Sequence, residues 1–259
     1  MTPSLPDDLE IPHAGDAQAE TVLVLHGGGG PQTVAPIVRH LAASFRVLAP
    51  THPGWNGTAR PDSIGSIADL AAAYLEYLLV QGRRGVTLVG SSIGGWIALE
   101  MAVQAAADPK YAGLLRAVVD IDGVGVVVDG EPIADFFALD ARGLADAAWH
   151  DPERGYTDPA GLTDEQRAIQ QSNGQTIAAI AGRSMSDPTL LARLREVDVP
   201  TLVVFGASDR IVTPAYGRAT AEAIPGAVFA EVPAAGHLPQ LENPDATWAL
   251  IDPFLARRE

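Results

Sequence analysis

Val86-Thr-Leu-Val-Gly90-Ser-Ser92-Ile-Gly94-Gly95 decides how the rest of the chain is read. Val86 to Val89 is a short apolar run with β-branched residues, the pattern of a buried strand. Ile97, Met101 and Ala102 then fall on one face of a helix. Between them lies Gly90-x-Ser92-x-Gly94. A serine on such a strand-to-helix turn is held on a sharp, strained bend with its Oγ clear of the sheet. The helix N-terminus beside it supplies positive potential to a developing oxyanion. Ser92 is therefore the candidate nucleophile. The competing reading is an ordinary strand–turn–helix connection in a chain with 26 glycines.

Working outward, the same rhythm repeats on both sides. Thr21 to Leu25 reads as a buried strand ending in His26 and four glycines, followed by a helix over 32–44. Strand Phe45 to Ala49 runs into His52-Pro-Gly-Trp-Asn-Gly57, and Ile67, Leu70, Ala71, Tyr74, Leu75 and Leu78 form a helical stripe. Leu115 to Ile121, Pro200 to Phe205 and Val228 to Val232 are further strands, with a last helix near 244–256. Alternating strands and helices imply an α/β class with a mostly parallel, doubly wound sheet. Residues 128–190 break the rhythm: they are helix-leaning, over Ile133 to Trp149 and Asp164 to Ala181, with no strand run. The expected organisation is a core of 1–127 and 191–259 with a helical cap or lid of 128–190. Ligands of open α/β sheets bind where such an insertion would lie, at the C-terminal strand edge.

A serine hydroxyl needs a base. Of six histidines, His13, His40 and His150 lie in the N-terminal arm, a helix and the insertion, while His26 and His52 sit in loops upstream of the nucleophile. His237, in Pro233-Ala-Ala-Gly-His-Leu-Pro239, follows the last strand and should project at the C-terminal edge. A solvated loop histidine is the bland alternative. A base needs a carboxylate to fix its tautomer. Asp209, in Gly206-Ala-Ser-Asp-Arg, follows the strand before it; Asp120 and Asp122 compete from the strand before the insertion, where they would otherwise be loop caps. An oxyanion hole needs two converging backbone N–H groups. Ile93 offers one and Gly28, in the Gly27–Gly30 loop, the other. Four glycines can also be merely a flexible loop. A phosphate loop is excluded because no Gly-Lys-Ser/Thr follows, and Gly123-Val-Gly125 lacks the third glycine of a dinucleotide fingerprint.

Composition narrows the function classes. Lys+Arg 17 against Asp+Glu 32 gives a net charge of −15, which disfavours nucleic acid and anionic membrane surfaces as partners. No cysteine is present, so thiolate nucleophiles, disulfides and cysteine metal sites are excluded. Met1 to Glu20 has no basic n-region or apolar h-region, and Leu70 to Val80 is too short to span a bilayer, so a soluble cytoplasmic protein is expected.

From the His26-Gly27 loop to Gly236-His237, the chain resembles the α/β-hydrolase fold superfamily. Pro53-Gly54-Trp55-Asn56-Gly57 is similar to that family's P-G-x-G loop, and Ser92, Asp209 and His237 stand in its triad order. The serine sets the chain apart from haloalkane dehalogenases and soluble epoxide hydrolases, which carry an aspartate there. The Gly-rich loop and Gly236-His-Leu-Pro-Gln-Leu-Glu242 look like those of capped carboxylesterases and of C–C bond hydrolases acting on vinylogous diketones. The latter carry H-G-x-G-P-G, whereas here Pro31 comes one residue later with no glycine after it. The resemblance implies a serine hydrolase of carboxylic esters working through an acyl-enzyme, with no metal or organic cofactor. Its substrate would be a small, neutral, partly apolar molecule held near Trp55, Phe136, Phe137 and Trp149, with Trp96 a further candidate. C–C bond hydrolysis is the main alternative; lyase, perhydrolase or transferase chemistry and a non-enzymatic ligand-binding role are others.

Overall fold

A computed structural model describes residues 3–6 and 9–257. The extreme ends of the expected core, and part of the Met1 to Glu20 arm read for a secretion signal, lie outside the described residues. Seven strands form one sheet: β1 (His13–Ala14), β2 (Thr21–Leu25), β3 (Arg46–Leu48), β4 (Val86–Ser91), β5 (Leu115–Ile121), β6 (Thr201–Gly206) and β7 (Val228–Val232). Their spatial order is β1-β3-β2-β4-β5-β6-β7. All pairings are parallel except β1 with β3, a two-residue edge that sequence patterning did not anticipate.

Ten α-helices accompany the sheet among the described residues: α1 (Ala35–Leu41), α2 (Ile67–Val80), α3 (Ile93–Ala107), α4 (Ala141–Ala148), α5 (Pro152–Gly155), α6 (Asp164–Ile180), α7 (Leu190–Arg193), α8 (Pro214–Glu222), α9 (Pro239–Glu242) and α10 (Pro244–Leu255). Period-two alternation distributes each strand's side chains to two apolar layers. Leu23 and Leu25 of β2 pack with α2, α3 and α8 residues such as Leu70, Ile97 and Tyr216. Val22 and Val24 pack with Ile37 of α1 and Ile251 of α10 on the other face. Both faces of the central strands are therefore covered, which is why they read as continuous apolar runs.

Local signals set the helix ends. The Ser66 Oγ accepts the Asp69 N–H and caps α2, while Thr163 and Gln166 form a capping box that starts α6. Two expected helices are shorter than the periodicity suggests. The one over 32–44 divides into a 3₁₀ turn, Pro31–Val34, and α1. The one over Ile133 to Trp149 begins only at Ala141, because Asp140 caps the Gly143 N–H; residues before it, with Phe136 and Phe137, are irregular. No helix of the described residues is long and apolar enough to cross a membrane.

Candidate active site

Strand order brings the loops after β2, β4, β5, β6 and β7 to one edge. β2 and β4 are neighbours, with Leu25 opposite Gly90, so the Gly-rich loop meets the turn carrying Ser92. That turn is strained: Ser92 has φ 58° and ψ −118°, a region non-glycine residues rarely occupy. Its two flanking glycines are required by contact. A Cβ on Gly90 would lie 2.1 Å from the Gly94 oxygen, and one on Gly94 would lie 2.0 Å from the Leu25 oxygen. Ser91 is buried beneath, leaving the partly exposed Ser92 Oγ at the surface of the turn.

Ser92 Oγ lies 2.9 Å from His237 Nε2, and His237 Nδ1 lies 2.7 Å from Asp209 Oδ2. A carboxylate can only accept here, so His237 carries its proton on Nδ1 and receives the serine hydroxyl on Nε2. Asp209 Oδ1 accepts the N–H groups of Ile211 (2.8 Å) and Val212 (3.2 Å). The structure thus brings Ser92, His237 and Asp209 into one hydrogen-bonded chain. Asp120 is not part of it: its carboxyl lies under the turn, against Gly95 and Gly123. Burial pushes that carboxyl up to about 7. Asp122, Asp209 and His237 each bring one ligand-type atom within 4.8 Å of the others; within this cluster Asp209 is hydrogen-bonded to His237, and Asp122 accepts the Gly206 N–H.

Gly28 and Ile93, the two residues expected to offer oxyanion donors, lie side by side. A Cβ on Gly28 would lie 3.6 Å from Ile93 Cδ1, and neither residue's N–H makes a hydrogen bond among the described residues. The Gly-rich loop is braced by groups that sequence reasoning passed over. His26 Nδ1–H donates to the Gly27 oxygen (2.8 Å), while its Nε2 accepts the His52 N–H (3.0 Å). His52 Nε2–H donates to the His26 oxygen (3.0 Å), and its Nδ1 accepts the Tyr74 hydroxyl (2.6 Å). Every ring nitrogen is used once, in the neutral tautomer. Full burial drives His26 down to about 4 and His52 down as well.

The substrate-pocket candidates separate. Trp55 is fully buried and braces the same loop, its indole N–H donating to the Gly28 oxygen (3.0 Å). It offers no surface to a ligand. Trp96 is likewise buried, against Gly125. Phe136 and Phe137 are half-buried and pack edge-to-face, with Arg183 over Phe137. Trp149 ends α4, where the Ala148 oxygen accepts the His237 N–H (2.7 Å). Glu242, quoted in the sequence motif without a role, ties this region together. Its carboxylate accepts the N–H groups of Gly236, His150 and Asp151. Helix α6 sits over the Gly-rich loop: Ile177 approaches Gly28, and Thr176 and Asn173 hydrogen-bond Gly54 and Asn56.

Residues 22–250 match the family model described as "Alpha/beta hydrolase family". The chain belongs to the alpha/beta hydrolase family. Among its relatives is 2-hydroxy-6-oxononadienedioate/2-hydroxy-6-oxononatrienedioate hydrolase 2 of Pseudomonas putida, 28% identical over 92% of this chain and 88% of that protein. The fold is shared with the meta-cleavage product hydrolase of Pseudomonas fluorescens IP01 (TM-score 0.76, 19% identity, 95% of this chain and 93% of that one). It is also shared with the enol-lactonase of Burkholderia xenovorans LB400 (TM-score 0.72, 22% identity, 96% of each chain).

Proposed function

We propose that this alpha/beta hydrolase is a serine hydrolase that cleaves small carboxylic esters. The observation that carries the reading is the chain Ser92 Oγ to His237 Nε2 (2.9 Å) and His237 Nδ1 to Asp209 (2.7 Å), seated on a strained turn. In the proposed reaction His237 takes the Ser92 proton as Oγ attacks the ester carbonyl. Asp209 stabilises the imidazolium, and the N–H groups of Gly28 and Ile93 receive the oxyanion. The imidazolium then protonates the departing alkoxide, leaving an acyl-serine. A water deprotonated by His237 hydrolyses it, and Ser92 recovers its proton. Residues 128–190 act as the cap: α6 covers the Gly-rich loop, and Phe136, Phe137 and Trp149 supply apolar contact surface.

The relatives favour a second reading, C–C bond hydrolysis by the same groups, since the Pseudomonas putida relative is named for a dienedioate substrate. Net charge favours the neutral ester, with Arg183, stacked on Phe137, a cation beside the proposed contact surface. A net charge of −15 repels a dianion. Arg154 and Arg210, exposed on the protein surface, are spent on backbone carbonyls of Leu241, Glu242, Asp146 and Trp149. The test is a panel of neutral esters of increasing acyl length run beside a vinylogous 1,5-diketone acid, whose chromophore reports C–C cleavage. Ester turnover well above diketone turnover is expected. The reverse ratio would assign the C–C reaction.

A further inference from the structure

Asp122 is a buried titratable group that the proposed reaction leaves idle. It follows β5, has no solvent exposure, and takes φ 47°. Its Oδ1 accepts the Gly206 N–H at 2.8 Å, and its Oδ2 has no partner, although buried. Asp209 stands beside it, with His237 beyond; single atoms of the three lie within 4.8 Å of one another. The remaining acidic neighbour is Asp120, on β5 itself, and no Lys or Arg bears on Asp122 among the described residues. Two buried carboxylates at this separation do not both ionise. Asp209 accepts three N–H donors, from Ile211, Val212 and His237, whereas Asp122 accepts one. The negative charge belongs on Asp209 and the shared proton on Asp122.

We propose that Asp122 is held as the neutral acid and donates its Oδ2–H to Asp209, making it a positioning residue for the carboxylate that orients His237. Burial and the adjacent Asp209 hold its carboxyl well above the usual carboxylate range, in agreement with the geometry. The proton satisfies the orphaned oxygen, fixes the Asp209 carboxylate from behind, and keeps the pair at a single charge. Nothing is transferred through it: in the catalytic cycle the proton of Ser92 moves only to His237 and back. The proposal rests on the catalytic reading of Ser92, His237 and Asp209.

Asparagine separates a neutral donor from a charge. In Asp122→Asn the amide N–H can donate to Asp209 while the amide oxygen keeps the Gly206 N–H; alanine does neither. Asp122→Ala is expected to lose about 10-fold or more in kcat on the best ester of the panel, and Asp122→Asn to recover most of that loss. The second measurement is the NMR titration of the His237 ring in Ser92→Ala and in Ser92→Ala/Asp122→Asn. A neutral group replaced by a neutral one leaves the midpoint within about 0.3 pH unit, whereas loss of an ionised Asp122 would lower it by about one pH unit or more. A displacement beyond about 0.3 pH unit overturns the proposal, as does full kcat in Asp122→Ala. The titration decides even where the alanine variant fails to fold. Failure of the catalytic reading itself has a different signature, turnover that survives in Ser92→Ala.

Discussion

His237 and His26 both lie beside the serine turn, yet their surroundings are electrically opposite. His237 has a carboxylate on Nδ1 and a hydroxyl on Nε2, so a proton gained on Nε2 is balanced by Asp209. His26 has only backbone partners and packs on His52 with ring centroids 3.8 Å apart, so a proton gained by either ring would face another imidazole in a dry site. One side of the site is built to carry changing charge. The other is built from neutral donors and acceptors that hold a loop still. Burial alone does not decide which, since both regions are buried; the presence of a counter-charge does.

The largest effects should come from the charge-carrying side. Ser92→Ala is expected to abolish fluorophosphonate labelling and to lower ester turnover by about 10⁵-fold or more, and Asp209→Asn by about 10³- to 10⁴-fold through the wrong imidazole tautomer. Labelling that persists in Ser92→Ala, or moves to Ser91, would remove this side of the comparison.

On the neutral side the expected losses are smaller and differently distributed. His52→Phe removes the donor to the His26 oxygen and the acceptor of the Tyr74 hydroxyl, so kcat should fall about 10- to 100-fold as the Gly-rich loop loosens. Its pH dependence sharpens the contrast. An unfolded imidazole titrates near 6.5 while folded His26 sits at about 4 and folded His52 is also depressed. Between these values the unfolded chain binds more protons, so wild-type stability is full above about 6.5 and is lost as pH falls towards 4. Melting temperatures from pH 4 to 8 should therefore fall less steeply in His52→Phe than in wild type. Parallel curves would contradict the neutral assignment.

The smallest expected effect belongs to Asp120, a carboxyl with no counter-charge. Here the linkage has the opposite sign: folded Asp120 at about 7 binds a proton more tightly than an unfolded carboxyl near 3.8. Its burden on stability therefore grows as pH rises from about 4 to 7. Asp120→Asn should raise the melting temperature at pH 8 more than at pH 4, with little change in kcat. A gain independent of pH would mean that Asp120 is ionised in the fold.

The strand–turn–helix segment around Ser92, the parallel alternation and the ordered residues Ser92, Asp209 and His237 were legible because each is a local pattern. A β-run, a pair of glycines and a loop at a strand end can all be read without knowing what lies opposite. The short β1 edge was not legible, since two residues carry no period. The start of α4 was missed because apolar residues at Ile133, Phe136 and Phe137 mimic helical spacing, while the Asp140 cap sets the true beginning.

What the sequence by itself determined was the class of sheet and which side chains reach its C-terminal edge, since period and chain order fix both. The partners of those side chains were decided by tertiary structure alone. His52 reaches His26 across 26 positions, Glu242 reaches His150 across 92, and Asp122 reaches the Gly206 N–H across 84. The protonation of Asp120, Asp122, His26 and His52 follows from those contacts, because desolvation and neighbouring charge are properties of the packed site and leave no mark on the local sequence.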